Sequence, residues 1–312
     1  MELATKFSDN FSTEKAISFI EMDKAEITIP RTILINNEDI VNIDSFLDCI
    51  NSLNQLSYQR CSVRLSFSNV EYPHCIRDVA EKHTINMIIK NLINKAREYN
   101  INCYDIIFQP LIENITWSGA IIKKSTSIFV EMVYGAGKTI FRDGQYAYRY
   151  LCTQFSEFET LGDQILYANW NNGNLTESIL DQKCLSQNIL RNTVKSIQYK
   201  KLANNKLYEF AIVNNDVFFL DCKNIVENSY DNLDKLFIDE EYTVLDSQKN
   251  YGNISVFDAP LFEHIKGLTD RSSVYVNGGA ILSHMPFYCI KKNISCKFKT
   301  SLEKVKHAKN NF

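Results

Sequence analysis

Apolar positions along this chain change period several times, and each change marks an element. Thr13 to Glu21 carries a helical spacing behind a Ser12 cap, and Ile27 to Ile35 reads as a strand interrupted by Pro30. Residues 43–56 are helical, with a cap at Asn42. Cys61 to Phe67 alternates as a half-buried strand does. Val79 to Tyr99 places Ile85, Ile88, Ile89, Leu92 and Ile93 on one side of a long amphipathic helix.

From residue 104 the period shortens to that of strands. Tyr104–Pro110, Ser118–Ile122 and Ser127–Val133 are short and rich in β-branched and aromatic residues, and residues 144–155 continue the pattern. Asn171 to Asn174 is a turn, and Thr176 to Leu202 reads as one or two helices. Leu207–Val213 and Val217–Leu220 form a hairpin around Asn214-Asn215-Asp216, a sequence suited to a tight turn. Residues 241–252 read as a linker. Beyond it come a strand, a helix over Pro260–Lys266, a strand at Val274 and a helix at His284, an α/β pattern of its own.

Composition narrows the class. The chain has 312 residues, enough for two or three domains, and it is 45% hydrophobic and 23% charged. With 34 Lys and Arg against 37 Asp and Glu, a net charge of -3 gives no electrostatic case for nucleic acid. The nine cysteines contain no CxxC pair and are odd in number, which argues for reduced thiols. Neither a signal peptide nor a run of eighteen apolar residues is present, so a cytoplasmic protein without a membrane partner is expected.

Candidate chemistry concentrates near the C-terminus, in VYVNGGAILSHMPFYCIKKNI from Val274 to Ile294. Gly278-Gly279 lets the backbone turn sharply, and a helix start offers free N–H groups to an anion. His284 there has the chemistry to accept a phosphoryl group. The segment alone also fits an ordinary turn followed by a surface histidine.

This segment resembles the phosphohistidine motif T-D-x-G-G-x-x-S-H-x-A-I-x-A-R-E-x-x-I-P of the phosphoenolpyruvate synthase and pyruvate phosphate dikinase family. Asn277 stands at its acidic position, Pro286 and Cys289 at two alanines, and Lys291 near its arginine. YEFAIVNNDVFFLDCKN, from Tyr208 to Asn224, is similar to the segment that ends the family's ATP-grasp domain, with Asp221 in place of glutamine and Lys223 in place of arginine. FQPLIENITWSGAII from Phe108, FVEMVYGAGKTI from Phe129 and SVRLSFS from Ser62 resemble further family segments. STEKAISFIE from Ser12 resembles its glycine-rich opening without the glycines.

The resemblance implies an α/β (α+β) fold: a two-lobed ATP-grasp-like domain, residues 1–100 and 101–240, then a small swivelling phosphohistidine domain, 241–312. It implies ATP and Mg2+ as cofactors, with Glu209 and Asp221 holding the metal. Lys15, Arg64, Gln109, Glu131, Gly135, Gly137 and Lys138 would contact the nucleotide. Arg64 would neutralise the transferring phosphoryl group, and His284 would carry it to a small polar acceptor such as an amide. No room remains for a phosphoenolpyruvate barrel of about 250 residues. The acceptor site is left to this chain, a second copy or a partner protein. Two alternatives stand beside this reading: a direct ATP-grasp ligase or kinase without phosphohistidine, and a catalytically degenerate nucleotide-binding or regulatory protein.

Overall fold

The computed structural model describes residues 5–6, 10–36, 59–68, 75–154, 157–162, 164–197, 199–225, 254–257, 260–261, 263–264, 268, 273–292, 294–298 and 303–304. The expected helix over 43–56 and the linker over 241–252 lie outside them. The chain is mixed α/β and divides into two compact units, residues 1–113 with 171–174 and 218–223, and the remainder. The expected boundary at 240/241 is outside the described residues.

In the first unit, β1 (Thr5–Lys6), β2 (Ile33–Asn36), β3 (Arg60–Phe67), β4 (Cys75–Glu81) and β5 (Tyr104–Pro110) form one sheet. Its order is β1-β2-β5-β3-β4, antiparallel except for β1 beside β2. Helix α1 (Glu14–Lys24) is capped by Thr13, whose side chain accepts from the Ala16 N–H. Ser12, the expected cap, instead gives its N–H to Asp105 at 3.1 Å. Pro30 does more than interrupt the predicted strand: only Ile33–Asn36 pairs, because Pro30 has no N–H to donate and its carbonyl takes the Thr32 hydroxyl at 2.7 Å.

Helix α2 (Ile85–Glu98) begins later than its sequence suggests. Val79, Ala80 and Glu81 finish β4, and a reciprocal Glu81–Thr84 capping box restarts the chain as helix. Ile85, Ile89, Leu92 and Ala96 then lie buried at helical spacing, and Asn100, at φ 56°, closes the helix in the left-handed region. These residues pack on Val63, Leu65, Ile106 and Phe108 from one face of the sheet. Each fully buried Ile or Leu contributes about 1.5–3 kcal/mol.

Strict alternation puts a different set on the other face of that sheet. Asn36, Asp105 and Ser66 form one cross-strand row, Leu34, Ile107, Arg64 and Arg77 the next, and Gln109, Ser62 and Val79 a third. A polar face on a sheet this small is where the chain departs from core building.

The second unit contains β6 (Trp117–Lys123), β7 (Ser127–Tyr134), α3 (Lys138–Phe141), β8 (Tyr148–Thr153), β9 (Glu157–Leu161), β10 (Leu166–Asn171) and β11 (Asn174–Ile179). After these come α4 (Gln187–Ser196), β12 (Lys206–Val213), β13 (Asp216–Asn224), β14 (Ile254–Phe257), β15 (Ser273–Val276), α5 (His284–Lys291), β16 (Ser295–Phe298) and β17 (Glu303–Lys304). Seven strands join in the order β13-β12-β6-β7-β8-β9-β17, β10 pairs with β11, and β14-β15-β16 is a parallel sheet. By contacts, residues 218–223 of β13 belong to the first unit.

Strands β9 and β10 fall where the sequence carries no assigned element, β11 takes the start of the expected 176–202 helical stretch, and only residues 187–196 of that stretch form an α-helix. The Asn-rich hairpin is as expected, with Asn214 and Asn215 at φ 51° and 70°. Of the expected 260–266 helix, the described residues show one 3-10 step at Glu263–His264.

No separate swivelling domain is present among the described residues. Val274, Val276, Ile281, Met285 and Cys289 share one core with Ala120, Ile122, Phe129, Val133, Leu151 and Leu207 of the large sheet. A segment built to swing would need its own core and a solvated linker. This one has its apolar side committed to the sheet behind it.

Candidate functional site

The glycine loop before α5 is held from below by a buried ion pair. Glu131 on β7 and Arg149 on β8 stand opposite each other in register, both with no exposed side-chain surface. Arg149 Nε donates to Glu131 Oε1 at 2.8 Å and Arg149 Nη2 donates to the Gly279 carbonyl at 2.8 Å. Glu131 also accepts the N–H groups of Ile281 at 3.1 Å and Leu282 at 2.7 Å. Tyr146 completes the site by stacking under the guanidinium, 4.1 Å from its ring centre. Glu131 thus uses both carboxylate oxygens in this clamp, Oε1 for Arg149 and Ile281 and Oε2 for Leu282.

That clamp fixes the approach to His284. The imidazole stacks on Phe141 with centroids 5.6 Å apart, and its Nε2 lies 3.9 Å from Glu209 Oε1 on β12. Gly137, just before α3, leaves room for this: a side chain there would meet the Phe141 ring at 2.7 Å. Gly135, at φ 84°, lies so close to the Ala168 carbonyl that a Cβ would be 2.4 Å from it. Lys138 is bound to Asp143 at 3.0 Å and to Glu177. Burial pulls its ammonium down, but these two carboxylates outweigh it and hold the pKa above the ordinary lysine value. Lys123 donates to the carbonyls of Tyr199 and Leu202 at 3.1 and 2.8 Å, which gives it a structural part.

The remaining candidates gather in the first unit. Lys15, in the first turn of α1, is ion-paired with Asp221, and Lys223 lies 3.6 Å from the same oxygen. The other Asp221 oxygen accepts the Cys222 N–H at 3.0 Å. Both oxygens are thus engaged, and Asp221 does not fit the open carboxylate that a shared Mg2+ would need. Among the described residues no three His, Cys, Asp or Glu side chains converge into a metal-holding group.

Gln109 is buried and donates to Thr32 Oγ1 at 3.0 Å. Arg64 lies on the polar face of the first sheet. Three buried side-chain atoms on this face have no hydrogen-bond partner: Arg64 Nε, Ser62 Oγ and Asp105 Oδ1. Buried polar groups are nearly always paired, so three such atoms on one small face mark a place built for polar contact. Asp105 also anchors α1, its Oδ2 taking the N–H of Thr13 at 2.8 Å. Ser62 and Asp105 escaped the sequence reading. For Ser62 the signal is the alternation of Cys61 to Phe67, which sends Ser62, Arg64 and Ser66 to the side opposite the core.

No family model matches the chain, and no curated protein matches it. Among solved structures it is similar to D-alanine–D-alanine ligase from Helicobacter pylori, at 14% identity over 69% of this chain and 54% of that one, TM-score 0.35. It is also similar to the VanG D-Ala:D-Ser ligase from Enterococcus faecalis, at 10% identity over 69% and 53%, TM-score 0.35. A third is N5-carboxyaminoimidazole synthetase from Staphylococcus aureus complexed with ADP, at 11% identity over 67% and 43%, TM-score 0.25. The chain matches about half the length of each.

These findings correct the resemblance to the phosphoenolpyruvate synthase and pyruvate phosphate dikinase family. The similar structures are ligases and synthetases, and the expected swivelling unit is not separate from the large sheet. The phosphohistidine and the phosphoenolpyruvate-using assignments fall with it; His284 stacks on Phe141 beside Glu209. Among the described residues no helix is long and apolar enough to cross a membrane.

Proposed function

We propose that the protein is an ATP-using enzyme of the ligase or synthetase type, which binds MgATP and acts on a small polar substrate without a phosphohistidine. The observation that carries this reading is the polar face of the first sheet, where Arg64 Nε, Ser62 Oγ and Asp105 Oδ1 lie buried and partnerless. A planar, permanently charged guanidinium suits phosphate oxygens. In phosphoryl transfer most of the protein's work is positioning and charge neutralisation, which such a face can supply.

The competing reading, a nucleotide-binding protein without turnover, has one observation in its favour. Asp221 is paired with Lys15 and lies 3.6 Å from Lys223, which leaves its carboxylate less available to a metal ion. The two separate by experiment. Both predict that MgATP raises the melting temperature, since a ligand specific for the folded state stabilises it by about 2.7 kcal/mol at one hundred times its Kd. Only the enzyme reading predicts release of phosphate from MgATP when a panel of small carboxylates and amines is supplied. Stabilisation with no turnover across the panel favours the binding protein, and no stabilisation removes both.

A further inference from the structure

Two cysteines near the C-terminus, both free thiols, are bonded to each other rather than to oxygen. Cys61, Cys103 and Cys152 give their thiols to the Ala80 carbonyl, the Ser12 hydroxyl and the Thr153 carbonyl, at 3.7, 3.4 and 3.7 Å. Cys296 on β16 instead donates to the sulfur of Cys289 on α5. The backbone on both sides is fixed. Helix α5 packs on β16, and the turn between them is closed by the N–H groups of Lys292 and Ile294, which donate to the Tyr288 and Cys289 carbonyls at 3.0 and 2.8 Å. Cys296 stands in parallel register with Val274 of β15, and it packs against the core in which Val274 and Cys289 are buried.

Burial by itself makes a thiol inert, as at Cys61, whose thiol is pushed up to about 11. Cys289 is buried as well, yet its thiol lies below the ordinary value, because the hydrogen bond from Cys296 outweighs the loss of solvent. The same bond, and then burial, raise Cys296 well above the ordinary value. Two sulfurs in contact, one of them with thiolate character, are the arrangement from which a disulfide forms with little backbone movement. We propose that Cys289 and Cys296 are a redox modification site, a dithiol that hydrogen peroxide converts into a disulfide joining α5 to β16. Half-buried Cys296 is the sulfur that peroxide reaches. Its attack breaks the O–O bond, releases one water and leaves a sulfenic acid. Cys289 then displaces the sulfenic oxygen as a second water. The two thiols give up two electrons and two protons, and the peroxide takes them. Helix α5 starts at His284, so the bond would tie the helix that carries this histidine to the parallel sheet.

The test treats the full wild-type chain with hydrogen peroxide, blocks remaining thiols with iodoacetamide under denaturing conditions, and maps the peptides by mass spectrometry. The expected product is a linked pair of peptides carrying Cys289 and Cys296, which dithiothreitol separates. The oxidised protein should also melt higher than the reduced one, since a cross-link restricts the unfolded chain, and dithiothreitol should reverse the shift. Cys296→Ser should show neither the linked peptides nor the peroxide-dependent shift. The wild-type map decides the matter even where a variant fails to fold. Recovery of Cys289 and Cys296 as separately alkylated peptides after peroxide would overturn the proposal. So would linkage of either to a different cysteine, or oxidation of Cys296 to a sulfinic acid with Cys289 still a thiol.

Discussion

Glu131 and Arg149 face each other across neighbouring strands as a fully buried ion pair, with Nη2 2.6 Å from Oε1, and together they hold three backbone groups of the loop before α5. Taking two charges out of water is costly, and the cost is offset here only because nearly every donor and acceptor has a partner. The pair is what ties the Gly278-Gly279 loop to the sheet.

The losses from removing the two members should therefore not add. Glu131→Gln or Arg149→Met leaves a buried charge unmatched, and we expect each to cost about 3–5 kcal/mol in urea unfolding. Replacing both by apolar residues of similar volume should cost clearly less than the sum of the singles. Additive losses would show that the two side chains act independently, against the geometry.

Gly279 tests the same loop from the backbone. It sits at φ 91°, and a Cβ would lie 2.5 Å from Pro260 Cδ and 2.6 Å from the Gly144 carbonyl oxygen. Gly279→Ala combines left-handed strain with a backbone collision, each of the order of 1–3 kcal/mol. A melting temperature unchanged from the wild type would mean that the loop is not seated as described.

Asp105 predicts a pH dependence of known sign. Burial raises its pKa above the ordinary 3.8, against the lowering effect of its bonds from Thr13 and Ser12. In the window between the ordinary and the raised value the folded protein holds more protons than the unfolded one. Its stability therefore falls as pH rises through that window. Asp105→Asn cannot titrate, so the wild type should lose stability relative to it as pH climbs from about 3.5. A difference between the two that stays flat or grows in favour of the wild type would contradict the assignment.

Thiol reactivity should separate two cysteines of the first unit. Burial pushes the Cys61 thiol up to about 11, whereas Cys103 is exposed. At pH 8, iodoacetamide should label Cys103 at least tenfold faster, since the thiolate is the reactive form. Equal rates, read by peptide mass spectrometry, would place Cys61 at the surface.

The parts of this fold that could be read from the sequence are those whose local and global preferences agree. Cys61–Phe67, Tyr104–Pro110 and the Asn214-Asn215 hairpin follow directly from alternation and turn chemistry. Strand β4 was hidden because its last residues, Val79 to Glu81, continue smoothly into the helical pattern that starts at Ile85. Strand β11 carries Asn174, Thr176 and Ser178 on a largely exposed ribbon, where no apolar period is imposed. For the site, the family resemblance put forward Arg64 and Lys15 as candidates. It could not reveal that Asp221 is paired with Lys15 or that Glu131 is spent on a buried arginine, because those pairings join residues 206 and 18 positions apart.

Calorimetric titration of MgATP into wild type and Arg64→Gln tests whether the polar face of the first sheet binds the phosphates of ATP. We expect saturable one-to-one binding to the wild type and at least tenfold weaker binding to the variant, with both proteins equally folded by circular dichroism. Equal affinity in the two proteins, or no heat of binding to the wild type, would contradict it.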